Sequence, residues 1–501
     1  MTRPSRSSRQ MLRSAGIVGA ASIVNIFAGI VRLKVFALIL GPAGVGLAGL
    51  FTNLMMLSST VAGLGVGSSG VRHVASVRGD ADRLDDALQA LFLLGMLLGV
   101  LGGGAVYFLQ MPLATYVLGD AKYAPGVGWV GLGVSASVAG SVFVAMLQGV
   151  QHIGKFSKAN IVGNLLGSAL AVSVIWYLGF DGIYFAVICL PLSLAAVAFF
   201  FVRHLPPARI RPLRALASEA RPMLGFGAVM LFSSILLMGT MMSARALINQ
   251  KLGLEAAGFF HSAWLLSATY IGFALNAMAA DFYPRVTAAI AQNENPGTLV
   301  GEQMGLAQTL TAPLIVAVIA FAPIIIILLY SREFLPAAEV VRVHVFGDLF
   351  RVIGTPFAYT LLAAGAAKRF MFGELVWSVV YLTILFGFID HLGVVAVGIA
   401  YATGYAVHLL VIYGFFRQAF GGVFGRDRII AIISIPVAGG VVLLAAEYDA
   451  IIGYAVGSIA VVILSALAIR LVVRSATDDL PSGMVRRVKR VLSSWVPSRD
   501  H

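Results

Sequence analysis

Apolar residues fill this chain in long runs, each bounded by glycine, proline or charge. The runs fall near residues 14–40, 44–69, 88–109, 125–150, 159–178 and 182–202. After a basic, proline-marked stretch from His204 to Pro222 they resume near 223–251, 256–280, 304–330, 339–366, 370–389 and 394–416. A last pair lies near 429–446 and 451–473. A helix needs about 20 apolar residues to cross the hydrocarbon of a bilayer. Within lipid, only helices and closed barrels satisfy every backbone hydrogen bond. Runs of this length predict an all-α, polytopic membrane protein of about fourteen transmembrane helices.

Composition excludes the soluble alternative, since 59% of the 501 residues are hydrophobic and 11% charged. The formal charge of +13 would suit a nucleic-acid binder, but its placement does not. Arg3, Arg6, Arg9 and Arg13 precede the first run, and further clusters occupy every second loop: Arg72, Arg78 and Arg83; Lys155 and Lys158; Arg203 to Arg221; Lys368 and Arg369; Arg417 to Arg428; and the tail from Arg486. This is the positive-inside pattern, and it predicts both termini in the cytoplasm. No nucleic-acid partner is expected. The first run is too long for a signal-peptide core and is expected to be an uncleaved span. A single cysteine, Cys189, excludes an internal disulfide and a cysteine-based metal site, and the scattered histidines show no ligand spacing, so no cofactor is expected. With no P-loop in the chain, it does not hydrolyse ATP itself. Asp80 and Asp82 imitate a metal-binding DxD but sit in a mixed-charge loop.

The two sets of six runs read as copies. Leu40-Gly41 corresponds to Leu252-Gly253, Arg72 to Arg285, Lys155-Phe156 to Arg369-Phe370, and Leu178-Gly179 to Leu392-Gly393, at offsets of 212 to 214. A near-constant offset over four landmarks implies a duplicated six-helix unit. Six is even, so the copies insert in the same direction, related by a pseudo-two-fold axis along the membrane normal. The expected division is an N-terminal bundle over 1–210, a C-terminal bundle over 211–420, an additional helix pair over 421–475 and a cytoplasmic basic tail over 476–501.

Charge inside the runs carries the functional signal. Arg32, Lys34, Arg245, Arg342 and Arg351 fall where hydrocarbon is expected, and an uncompensated cation there costs about 3 kcal/mol. The five are therefore expected to line a water-filled cavity that receives an anionic, lipid-attached substrate. Removing the repeat offset places Arg245 level with residue 33, about 12–14 Å below the outer end at 1.5 Å per residue. Arg32 and Lys34 are about 200° apart around a helix, so they point in different directions. An earlier end to the first span, near Val31, would make both interfacial. His344, Asp348 and Arg351 share one face of span 10. That face reads either as a self-neutralising pair or as a carboxylate that couples transport to an ion gradient, with Glu374 a further candidate. Pro112, Pro191, Pro313, Pro323 and Pro356 predict kinks.

Several segments resemble the O-antigen and enterobacterial-common-antigen translocases of the multidrug, oligosaccharidyl-lipid and polysaccharide exporter superfamily. These are Leu40 to Leu47, Gly347-Asp348-Leu349-Phe350-Arg351-Val352, Ala366 to Phe370 with Glu374, and Phe282-Tyr283-Pro284-Arg285. The resemblance covers about residues 10–420. It implies a flippase, not an enzyme, that moves an oligosaccharide repeat unit on undecaprenyl diphosphate to the outer leaflet of the bacterial inner membrane. It also implies a polysaccharide polymerase and a chain-length regulator as partners. The last helix pair departs from the many translocases of this kind with twelve spans and agrees with the lipid II flippases, which have fourteen. A lipid II flippase is thus a rival expectation. A multidrug exporter, which would favour an acid in its first span, and a membrane polymerase, which would bring a long catalytic loop, are more distant ones.

Overall fold

A computed structural model describes residues 6–205, 212–421 and 426–478. The basic tail beyond them, Arg3, and Arg209 and Arg211 of the linker lie outside the described residues. Every long element is a helix: α1 (Arg6–Gly63), α2 (Val66–Val77), α3 (Ala81–Phe108), the single turn α4 (Gln110–Leu113), α5 (Ala124–Gly149), α6 (Ile153–Leu178), α7 (Ile183–Val202), α8 (Leu213–Ala291), α9 (Gly297–Leu329), α10 (Ala337–Ala363), α11 (Ala367–Leu392), α12 (Val395–Phe420), α13 (Arg426–Tyr448) and α14 (Ala450–Asp478). Among the described residues eight helical stretches are long and apolar enough to cross a membrane, and Val24–Gly63 and Ile153–Val202, at 40 and 50 residues, are long enough to cross twice.

Helices α1 and α8 are each two arms joined at a glycine. Gly41 has φ 62°, ψ −170° and Gly253 has φ 84°, ψ 179°. That region of backbone space is essentially reserved for glycine, so the chain can turn there while both arms stay helical. Counted by arm, the helices match the fourteen apolar runs. The break within the second run, where Leu64 and Gly65 take φ 47° and 68° and separate α1 from α2, was not expected from its unbroken apolarity. Of the prolines expected to kink their spans, Pro191 lies within α7 and Pro356 within α10, and α9 departs from helical geometry at Phe321, two residues before Pro323. The linker differs from expectation, because Leu213 to Arg221 already form the start of α8.

The landmarks of the repeat recur as backbone geometry. Helices α6 and α11 have 26 residues each and begin 214 residues apart. Gly179 and Gly393, which follow them, have φ 55° and 57°.

Packing divides the described residues into two compact units. The first takes those up to Trp264 with Pro323–Val340 and Glu374–Ala400; the second takes Leu265–Ala322, Val341–Gly373 and those from Tyr401 onward. In the first, α5 is the central helix, packed on α1, α2, α3 and α7. Its contact with α3 is as close as backbones allow: a Cβ on Gly103 would lie 2.4 Å from the Gly131 carbonyl oxygen. Small residues permit such approaches in membranes, where no hydrophobic force drives helices together. The arms beyond the two kinks also cross backbone to backbone. A Cβ on Gly46 would lie 2.2 Å from the Leu254 oxygen, and one on Gly258 would lie 2.0 Å from the Pro42 oxygen. In the second unit, α13 and α14 pack against α10 and α9: Gly439 meets Leu349, Gly457 meets Ala320, and Phe321 stacks on Tyr454 at 5.7 Å.

Candidate functional site

Arg32 and Lys34 leave the first arm of α1 in different directions, as their spacing requires. Half-buried Arg32 donates from Nη1 to Ser168 Oγ of α6 at 2.9 Å. Lys34, expected as a cavity cation, is held by main-chain oxygens. Its ammonium donates to the Ile327 oxygen at 2.8 Å and also to the Tyr330 oxygen, so it caps the C-terminus of α9. Those carbonyls have no partner in their own helix and carry the negative end of its dipole.

Arg245, on the first arm of α8, is 2% exposed. Its Nη1 donates to His261 Nδ1 at 3.0 Å, and its guanidinium carbon lies 4.9 Å from the centre of the Phe260 ring. A guanidinium cannot accept a hydrogen bond, so His261 Nδ1 accepts and the ring carries its proton on Nε2. Gly49 makes this possible, since a Cβ there would lie 2.7 Å from His261 Nδ1. Arg245 Nε and the buried Tyr381 hydroxyl have no hydrogen-bond partner among the described residues. No carboxylate pairs with Arg32 or Arg245 among the described residues.

The ends of the spans near the kinks are tied together within the first unit. Asn249 donates to the Leu118 oxygen and Gln250 to the Tyr116 oxygen, both at 2.7 Å, and Lys251 pairs with Asp390 at 2.9 Å. On the basic-loop side, Glu219 of α8 is 7% exposed and receives His73 and, at 3.3 Å, Arg83 Nε. Asp80 is a helix cap rather than a metal ligand, with Oδ1 accepting from the Arg83 backbone N–H at 3.2 Å.

In the second unit the expected Asp348–Arg351 pair is not a direct one. Asp348 is fully buried and accepts from Ser267 Oγ and Tyr270 OH at 2.7 Å and from Tyr401 OH at 2.9 Å. Arg351 donates to the same Tyr401 oxygen at 3.2 Å and lies 5.5 Å over Tyr405. The phenol of α12 thus stands between acid and base. His344 shares the cluster by stacking on Tyr401 at 3.7 Å. Arg342, expected in the cavity, instead donates to the Ile319 oxygen at 3.3 Å and pairs with Glu447 of α13 at 3.7 Å. Glu374 is half-buried near the start of α11, in the first unit.

Residues 35–339 match the family described as polysaccharide biosynthesis protein. The chain belongs to this family. Two lipid III flippases, from Escherichia coli (strain K12) and Shigella flexneri, are each 22% identical to it over 405 residues, covering 79% of this chain and 96% of the relative. Among solved structures, an inward-facing multidrug resistance MATE transporter of the MOP superfamily superposes with a TM-score of 0.67 at 17% identity, covering 79% of this chain and 94% of that one. The lipid II flippase MurJ, in an inward closed conformation, gives 0.65 at 14% identity and covers 91% and 99%. This polysaccharide biosynthesis protein therefore has the helical fold of the MOP superfamily.

Sequence reasoning located the cations of this family member but not their neighbours. Ser168, Tyr381, Tyr270 and Tyr401 come from other helices far away in the chain, and His261 comes from the second arm of α8, beyond the kink that separates it from Arg245. Only His261 left a signal: the repeat offset of 212 aligns it with Gly49, a polar ring in one copy where the other has no side chain.

Proposed function

We propose that this protein is a flippase for undecaprenyl-diphosphate-linked oligosaccharide repeat units, O-antigen-like or of another surface polysaccharide. It would carry them from the cytoplasmic to the periplasmic leaflet of the bacterial inner membrane. The observation that supports this best is the pair Arg32 and Arg245. Two guanidinium groups sit within membrane spans at corresponding places of the repeat, with no acid paired to either among the described residues. A diphosphate supplies the missing negative charge, and its oxygens match the planar fork of arginine. Membership of the polysaccharide biosynthesis family and likeness to the lipid III flippases over nearly their full length point to the same substrate class.

In this reading the ties made by Lys34, Asn249, Gln250 and Lys251 close the periplasmic end and break when the carrier turns outward. The buried Asp348 couples that turn to an ion gradient, because a carboxylate held by three hydroxyl groups can exchange a proton or cation without dismantling its surroundings. Asp348→Asn is expected to lower transport at least tenfold and to remove its dependence on pH or membrane potential in vesicles. Unchanged transport and ion dependence would leave the carboxylate a structural partner of Tyr401. The terminal pair is expected to stabilise the fold without lining the pathway. Truncation after Gly422 should reduce yield and melting temperature and retain some transport. A well-inserted but wholly inactive truncation would bring α13 and α14 into the mechanism.

A lipid II flippase is the second reading, favoured by the fourteen spans and by the near-complete structural overlap with MurJ. Both substrates carry the same diphosphate and lipid, so the glycan separates them. Depletion of the protein followed by leaflet-resolved analysis of lipid-linked saccharides is expected to trap a surface-polysaccharide unit on the cytoplasmic side while peptidoglycan synthesis continues. Trapped lipid II would favour the second reading, and no trapped species would refute both.

A further inference from the structure

The first unit contains a cleft of about 340 Å³ beside the break between α1 and α2. That volume lies within the range of about 300–1,000 Å³ usual for small-molecule sites. Six hydroxyl side chains line it, Ser59, Thr60, Ser68, Ser137, Ser141 and Ser234, from α1, α2, α5 and α8, and no charged side chain is among its lining residues. Nothing assigned to Arg32, Arg245 or Asp348 accounts for it.

The hydrogen-bond state of these hydroxyls decides what the cleft can hold. A serine or threonine has one proton to donate and two lone pairs to offer. Ser59 has given its proton to the Met55 oxygen at 2.6 Å, Ser68 to the Gly65 oxygen at 3.0 Å and Ser141 to the Val138 oxygen at 2.7 Å. Thr60 has given its own to Met238 Sδ at 3.4 Å. With these bonds made, the four oxygens offer a ligand lone pairs, while the Ser137 hydroxyl can donate. Further donors come from the broken helix: α2 starts at Val66 with no side-chain cap, and Val66, Gly67 and Ser68 line the cleft. The N–H groups of such a first turn have no carbonyl within their helix. A ligand that both donates and accepts satisfies both sets. A carboxylate or phosphate only accepts: the N–H groups of the first turn would suit it, but it would leave the four hydroxyl oxygens without a donor and bring its charge against their lone pairs.

We infer that this cleft is a saccharide subsite that binds neutral sugars, hexoses or N-acetylhexosamines, and discriminates against uronic acids. The inference rests on the flippase reading and adds the class of glycan to it.

The test measures binding to the full-length protein in lipid nanodiscs. The probes are undecaprenyl diphosphate, the same lipid bearing one N-acetylglucosamine, and the same lipid bearing one glucuronic acid. N-acetylglucosamine is expected to tighten binding about tenfold over the bare lipid, as two or three neutral hydrogen bonds would, and glucuronic acid to add nothing. The double variant Ser59→Ala/Ser141→Ala should reduce the N-acetylglucosamine advantage to about one. Gly67→Leu supplies a steric counterpart, because a Cβ there meets Ser141 Oγ at an ordinary 3.4 Å and the side chain can extend into the cleft. If the double variant does not insert, Gly67→Leu carries the test. An N-acetylglucosamine advantage that survives in these variants would overturn the subsite, as would a sugar that adds nothing to the parent protein or equal tightening by glucuronic acid. Failure of the parent protein to bind even the bare lipid would overturn the flippase reading, and the subsite with it.

Discussion

Replacing Arg32 or Arg245 by alanine is expected to abolish transport at a membrane abundance close to that of the parent protein. In the proposed flippase each substitution would remove charge-assisted hydrogen bonds to the diphosphate, worth about 1.5–3 kcal/mol apiece, so two lost contacts would amount to a hundredfold or more. Lysine at either position keeps the charge and loses the fork, and should retain part of the activity. Leaflet-resolved lipid analysis alongside immunoblotting of membranes reads both quantities. The surroundings of the two arginines also predict a difference between them. In a Cys189→Ser background, a cysteine at half-buried position 32 should react with small charged thiol reagents in the conformation described. One at position 245, where the arginine is 2% exposed, should react only as the protein cycles. Bound substrate should protect both. Full alanine activity, or a position 32 sealed under every condition, would remove these residues from the substrate site.

The second large effect is expected at the crossing beyond the kinks. Valine at Gly46 or Gly258 should lower transport at least tenfold and expose the periplasmic end of the spans to labelling. The atoms that an added Cβ would meet are the backbone oxygens of Leu254, at 2.2 Å, and Pro42, at 2.0 Å, and neither can rotate away. The two arms must separate instead, and overpacking of this kind costs about 1–3 kcal/mol. Gly49 supplies the contrast. Its added Cβ would meet the His261 ring at 2.7 Å, a side chain that can turn aside, so Gly49→Ala should cost less closure and act mainly through Arg245. Equal and small effects at all three glycines would mean that the crossing does not hold this end shut.

The spans were legible because membrane insertion selects on length and apolarity, which are local properties of the chain. The kinks at Gly41 and Gly253 were legible as repeat landmarks, since a Leu-Gly pair stands at both. The break at Leu64–Gly65 was not, because hydropathy continues through it and only the backbone changes. Partners were the least legible. The spacing of Asp348 and Arg351 places them on one face, as observed, yet Tyr401, from a helix fifty residues away, takes the position between them. Lys34 likewise has no acid nearby in sequence, and its partners are main-chain oxygens nearly three hundred residues away. A sequence pattern ranks which groups need compensation and does not say what supplies it.

Gly46 against Leu254 and Gly258 against Pro42 are one contact occurring twice, since both members of each pair are 212 residues from their counterparts. Reciprocity of this kind is the mark of an isologous interface. Two half-length copies associating through this surface would make the same pair of contacts. In such a dimer positions 49 and 261 would be the same residue. Two glycines fit there and two histidines do not, because each ring needs the space its partner would fill. The histidine that receives Arg245 therefore requires that the two halves differ at this place, which a single chain carrying both allows.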